Sequence, residues 1–267
     1  MAIVVDAHSD ILSDLLGRRA AGQTGVLNTT WIPAMDAAGI DVRVLAIYSG
    51  VAYLPELALR RALDQVAVLH AELEETPRAA LCTTHAEVLA ATGAGKKAFI
   101  LGMEGVEPLG SDLGLLRIFY QLGVRVLGIT HALRNYAADG AFFDPKRTGV
   151  VGGLSDFGVE LVETAQAMGM LLDVSHLLDH LDRQVRIAGR EHVGLGLDFC
   201  HYLLEHKSPV ERSGMRKGAY LSVDGLTSDR DVPKIPKMLT ERGYSPDTIN
   251  MIMGENFLRV FRAGVRP

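Results

Sequence analysis

The sequence predicts an α/β fold: a parallel β-sheet covered by helices and curled toward a (β/α) barrel. Three observations predict it. Short β-rich runs alternate with helical segments along the chain. The runs are apolar almost throughout instead of alternating apolar and polar, as in strands buried on both faces. Histidines and carboxylates stand just after these runs, where parallel sheets place their active sites.

Taken in order, the strand-like runs are 2–5 (AIVV), 41–48 (DVRVLAIY), 98–102 (AFILG), 124–130 (VRVLGIT), 170–174 (MLLDV) and 192–196 (HVGLG). Between them, 55–74 is rich in Ala, Leu and Glu and reads as helix. Residues 115–122 (LLRIFYQL) form a second helix that stops at Gly123, and 156–168 a third that ends before Gly169. A helix over 180–188 ends at Gly189. Two more close the chain at 232–242 and 245–261, the latter opened by the start signal SPDT. No repeat, low-complexity tract or linker interrupts the 267 residues, so one barrel-like domain over 1–267 is expected.

Composition narrows the function. The chain is 48% hydrophobic and 22% charged, enough apolar residue for a sizeable core. Its net charge of −5 with no basic cluster makes nucleic acid a poor partner. Two cysteines in unrelated contexts form neither a disulfide framework nor a metal motif, and suit a reducing compartment. The N-terminus lacks a secretory leader pattern and no stretch is long and apolar enough to span a membrane. A cytoplasmic protein without a membrane span is therefore expected.

The strand ends carry one kind of chemistry. His8 and Asp10 follow the first run, Glu104 the third, His131 the fourth, His176 the fifth and Asp198 the sixth. Residues i and i+2 of a strand share a face, so His8 and Asp10 point the same way. An imidazole beside a carboxylate suits a divalent metal, although a buried histidine bonded to a surface aspartate would read the same in isolation. Five strand ends that agree in chemistry describe a barrel converging on a metal centre. Trp31, His70 and His85 lie away from strand ends and read as structural.

These stretches resemble the renal (membrane) dipeptidase family of zinc peptidases, which are amidohydrolase-like TIM barrels. The resemblance is carried in order by DAHSDIL, GMEGVEPLG, GVRVLGITHALRNYAADG, LLDVSH, EHVGLGLDF and the tail LTERGYSPDTINMIMGENFLRVF. It implies a hydrolase that cleaves a dipeptide or related small amide by metal-activated water, with one or two zinc ions. His8 and Asp10 would hold one metal, Glu104 would bridge two, and His176 would hold the second together with a further histidine. His131 would bind substrate or stabilise the transition state, and Asp198 would transfer the proton. Asn135 would line the substrate cleft. A homodimer is the implied assembly.

The family pattern breaks after His176. There the resemblance calls for a sixth strand ending in Ser-His-Ser, an arginine motif for the substrate carboxylate, and a seventh strand. Here DVSHL runs almost directly into LDHLDRQVRIAGREHVGLGLDF. The second metal's other histidine and the arginine have no counterpart, and six strand-like runs fall short of the eight that close such a barrel. His180, His201 and His206 are the replacement ligands to consider, and 214–226 has strand character that could fill the gap. A mononuclear enzyme, or a non-catalytic homologue that binds a small molecule or a partner, is the alternative reading.

Overall fold

The computed structural model describes residues 3–131, 133–140, 153–173, 189–199 and 226–265. Within them β1 (Val5–Ser9), β2 (Val42–Tyr48), β3 (Ala79–Leu81), β4 (Lys97–Glu104), β5 (Val124–Gly128) and β6 (Leu171–Asp173) form one sheet. The strand order is β1-β2-β4-β5-β6, with β3 also on β4, and every pairing is parallel. A parallel step needs a crossover, and helices supply it throughout. α1 (Ile11–Ala20) and α2 (Ile32–Ala38) join β1 to β2, α3 (Ala58–Glu74) joins β2 to β3, and α4 (His85–Gly93) joins β3 to β4. α5 (Leu113–Gln121) and α6 (Asp156–Ala167) lead to β5 and β6 respectively. Beyond β1 the segment 193–199 continues the curl: the Ala7 amide donates to the Leu195 carbonyl at 2.8 Å. The result is a curled parallel half-barrel of the TIM type.

Strand composition follows from this layering. On the outer face Leu45, Ile47, Phe99, Leu101, Met103 and Leu127 pack under the helices. On the inner face Val5, Val42, Val44, Ala98, Ile100 and Val126 meet Phe261 and Val265 from the C-terminal end. With both faces covered, most strand positions are apolar, and all eight residues of β4 are buried. Phe261 lies on α9 (Asn256–Gly264), which therefore fills the inner face near the N-terminal ends of the strands.

Local chemistry sets the helix ends. Thr84 and Glu87 form a capping box at α4, and the Ser155 and Asp112 side chains accept backbone N–H bonds at the starts of α6 and α5. Gly39 stops α2 in the left-handed region, with φ of 69°.

Several elements differ from the sequence reading. The first strand is Val5–Ser9, not 2–5, because its pairing with β2 continues through the polar residues. His8 is therefore inside the strand, and Glu104 is the last residue of β4 instead of following it. β3 has three residues, too few to show a period, and α1, α2 and α4 are additional. The final helix is interrupted. α8 (Pro246–Asn250) leads into a wide turn, Met251–Glu255, before α9, and α7 (Ile235–Glu241) precedes them. The expected helix at 180–188 and strand at 214–226 fall outside the described residues, except for residue 226. No helix among the described residues is long and apolar enough to cross a membrane.

Two glycines give opposite expectations. Gly254 sits against Val5 and the Ile3 carbonyl, so an added Cβ would lie 3.2 Å from the Val5 nitrogen and inside contact range of the Ile3 oxygen. Gly17, in the exposed middle of α1, has open space around it. Gly254→Ala should destabilise by roughly 1–3 kcal/mol, and Gly17→Ala should stabilise by up to about 1 kcal/mol. Denaturant melts of the two variants check the signs.

Candidate metal centre

The site begins with an irregularity in β1. Val5 pairs with Val42 and Asp6 with Arg43, but the next pair is Ser9 with Leu45. β1 thus spends three residues where β2 spends two, the signature of a β-bulge. Asp6 and Ser9 both face outward, with Arg43 and Leu45 of β2. His8, one residue before Ser9, is turned to the inner face. Without the bulge, strand alternation would have put His8 on the same side as Asp6.

Asp6 holds the bulge in place. Its Oδ1 accepts the His8 amide at 3.3 Å and the Leu197 amide at 3.0 Å. Its Oδ2 lies 2.9 Å from Arg43 Nε, and Arg43 makes a two-pronged pair with Asp229 at 3.0 and 2.7 Å. Asp6 and Arg43 are both fully buried. A buried charge is tolerated when paired and hydrogen-bonded in this way. The network ties β1, β2, the segment at 197 and the C-terminal part of the chain together below the cluster.

Above it, one row crosses the sheet at the C-terminal ends of the strands. Tyr48, Glu104, Gly128 and Asp173 are in register from β2 to β6. Glu104 meets His8 here, Nε2 to Oε1 at 3.5 Å. Asp10, at the N-terminus of α1, makes no capping bond with its side chain, which joins the same cluster. His8, Asp10 and Glu104 each offer one donor atom, all within 4.8 Å of one another, and all three residues are buried. His131, half-buried, places Nε2 3.7 Å from the same Glu104 oxygen and sets its ring edge-on to Tyr48 at 5.0 Å.

The segment 193–199 approaches from the other side. A Cβ at Gly196 would lie 3.3 Å from His8 Cβ, a close approach that a glycine permits. Asp198 follows with φ of 46°, in the left-handed region that aspartate tolerates better than most residues. Backbones of this kind concentrate at functional sites.

Electrostatics sets the charge that the cluster attracts. Burial by itself pushes the His8 imidazolium toward its neutral form, but the Glu104, Asp10 and Asp198 carboxylates outweigh burial and raise its pKa to about 10. The cluster thus draws positive charge into a buried place. One imidazole and two carboxylates form a nitrogen and oxygen donor set of net charge −2, which a divalent cation neutralises. The residues present fit such an ion.

A shallow cleft opens beside the cluster, lined by Tyr48, Ser49, Val51, Leu54, Glu107, His131 and Leu133. Asn135, expected to line it, braces the following loop. Its Nδ2 donates to the Ile129 carbonyl at 2.8 Å and its Oδ1 accepts from the Ala137 and Ala138 amides. His176 lies outside the described residues, as do His180, His201 and His206. The sequence reading does not include Asp6, Arg43 or Glu107. A charge at the end of one apolar run and an opposite charge inside another are the available signal for the first two.

The sequence model of the membrane dipeptidase family (peptidase family M19) matches residues 1–179. The chain is 29% identical over 207 residues to Dipeptidase verJ of Clonostachys rogersoniana, a match covering 75% of this chain and 48% of that protein. It is 33% identical over 137 residues to human Dipeptidase 3, covering 49% of this chain and 26% of that protein. The chain therefore spans about half the length of the first relative and about a quarter of the second. Among solved structures, a metallo peptidase from Rhodobacter sphaeroides liganded with a phosphinate mimic of the dipeptide L-Ala-D-Ala superposes with a TM-score of 0.76. Identity is 19%, and 99% of each chain is covered.

The His8 shift gives a pH dependence with a defined sign. Its folded pKa of about 10 lies above the ordinary value of 6.5, so the protonated form is favoured by folding. That contribution is fully present below pH 6.5 and is lost as pH rises through about 10. Metal-stripped protein should lose thermal stability across this interval, and His8→Ala should flatten the profile. Parallel profiles for the two proteins would contradict the assignment.

Proposed function

We propose a function from one premise: the chain belongs to the membrane dipeptidase family, peptidase family M19. On that premise it is a metal-dependent hydrolase that cleaves a dipeptide or a related small amide, with zinc held by His8, Asp10 and Glu104. The observation that carries this reading is the convergence of three buried donor residues, within 4.8 Å, on the inner face at the C-terminal rim of the half-barrel. The dipeptide mimic bound to the Rhodobacter sphaeroides neighbour supports the substrate class.

A bound zinc ion supplies Lewis acidity and a water nucleophile usable at neutral pH. The chain's own residues supply the rest. Glu104, the hub of the cluster, carries charge for the ion on one side and faces His131 on the other. His131 stands at the boundary between cluster and cleft, where its Nε2 can donate to a substrate carbonyl oxygen as negative charge develops there. Asp198 is exposed next to the cluster and is the group to move a proton to the leaving amine. His176 belongs to the same proposal as a ligand for a second ion. A homodimer in the cytoplasm completes it; the assembly follows the family resemblance and the compartment follows the cysteine usage.

Chelation should abolish hydrolysis of simple dipeptides and added zinc should restore it. His8→Ala or Asp10→Ala should each reduce turnover by about 100-fold or more, beyond what loss of a supporting residue around a metal usually costs. Glu104→Gln should be the most severe of the three if two ions are bound. Wild-type protein that takes up zinc but hydrolyses no dipeptide would favour the binding-protein alternative, which the end of the family match at residue 179 keeps in view.

A further inference from the structure

Among the described residues Glu107 is the one acidic residue that lines the cleft, and the mechanism above makes no use of it. Three observations define its surroundings. First, its carboxylate is folded back over Gly105, whose missing side chain and φ of 80° leave the room for it. Gly105 directly follows Glu104, so the Glu107 carboxylate is held beside the cluster. Second, no lysine or arginine among the described residues pairs with it; the contacts that favour its charged form are its own backbone N–H and the Asn135 side chain. Asn135 is itself fixed to the Ile129 carbonyl. Third, the other walls of the cleft include Val51, Leu54 and Leu133, which offer no charge that would compete with the carboxylate for a cation.

We propose that Glu107 binds the α-ammonium group of the substrate's first residue. This rests on the reading of the protein as a dipeptide hydrolase. The geometry favours an α-ammonium over a lysine side chain. The α-nitrogen is two bonds from the scissile carbonyl carbon, and that carbon must lie next to the His8, Asp10 and Glu104 cluster. A side-chain ammonium would be several bonds farther away. Asn135 then acts as a positioning residue, since it orients the carboxylate and does not meet the substrate.

The test uses zinc-loaded protein and two non-hydrolysable probes: the phosphinate mimic of Leu-Gly, and the same compound lacking its amino group. Calorimetry gives the affinity of each for wild type and for Glu107→Gln. Wild type should prefer the amino-bearing probe by about 10- to 100-fold, the range for a hydrogen-bonded charge. Glu107→Gln should erase most of that preference while the desamino probe binds both proteins equally. A wild-type protein that does not distinguish the probes, or that binds neither, overturns the proposal without recourse to any variant, and so does a preference that survives in Glu107→Gln. Turnover of Leu-Gly is measured on the same samples. Preference without turnover would overturn the hydrolase reading and leave the ammonium site standing.

Discussion

Everything distinctive about the inner rim depends on the carboxylate of Asp6. It lies under the bulge in β1, takes the His8 and Leu197 amides on one oxygen, and pairs with Arg43 on the other. Arg43 in turn grips Asp229, 186 residues farther along the chain. Two opposite charges buried in a sheet give little net stability over well-packed apolar residues, yet removing one partner is costly. Such a pair specifies geometry more than it adds stability. Here the geometry is the phase of β1. The bulge brings His8 to the inner face, and the same aspartate fixes the segment that carries Asp198.

The inner face is divided by height. Near the N-terminal ends of the strands it is apolar and covered by Phe261 and Val265. Near the C-terminal ends it turns polar within one row, Tyr48, Glu104, Gly128 and Asp173. Glycines at 102, 128 and 196 bring backbones close along this boundary; a Cβ at Gly102 would lie 2.9 Å from Val44, and one at Gly128 would lie 3.1 Å from the Met103 carbonyl. The packed lower half gives a rigid base, and the buried carboxylates above it are placed where water cannot solvate them well. That arrangement is expensive without a cation and natural with one.

Much of this was legible in the sequence, because parallel sheets write their function at strand ends. His8, Asp10, Glu104 and His131 are all legible from their positions after apolar runs, and the structure brings the other three around the Glu104 carboxylate. The fold class was legible because strands buried on both faces cannot be mistaken for alternating ones. Other features leave no such trace. The bulge is a matter of pairing register between β1 and β2, and nothing in VVDAHSDIL announces it. β3 is too short to show a period. Glu107 carries no mark in the sequence, because its placement depends on Gly105, two residues before it, and on a loop asparagine 28 residues on. The Arg43 and Asp229 pairing joins residues too distant to associate by spacing. The stretch after His176, where the sequence departs from its family, lies outside the described residues, and the family match ends close by, at residue 179.

The central claim is that His8, Asp10 and Glu104 hold a divalent metal ion on the inner rim of the half-barrel. The most direct measurement is an anomalous difference map from crystals of the zinc-loaded protein, collected on both sides of the zinc edge. The account predicts a peak within coordinating distance, about 2.0–2.2 Å, of His8 nitrogen and of Asp10 and Glu104 oxygens. It also predicts that the peak disappears in His8→Ala crystals grown the same way. Zinc-loaded wild-type crystals with no peak among these three residues, or with the ion bound elsewhere, would contradict it.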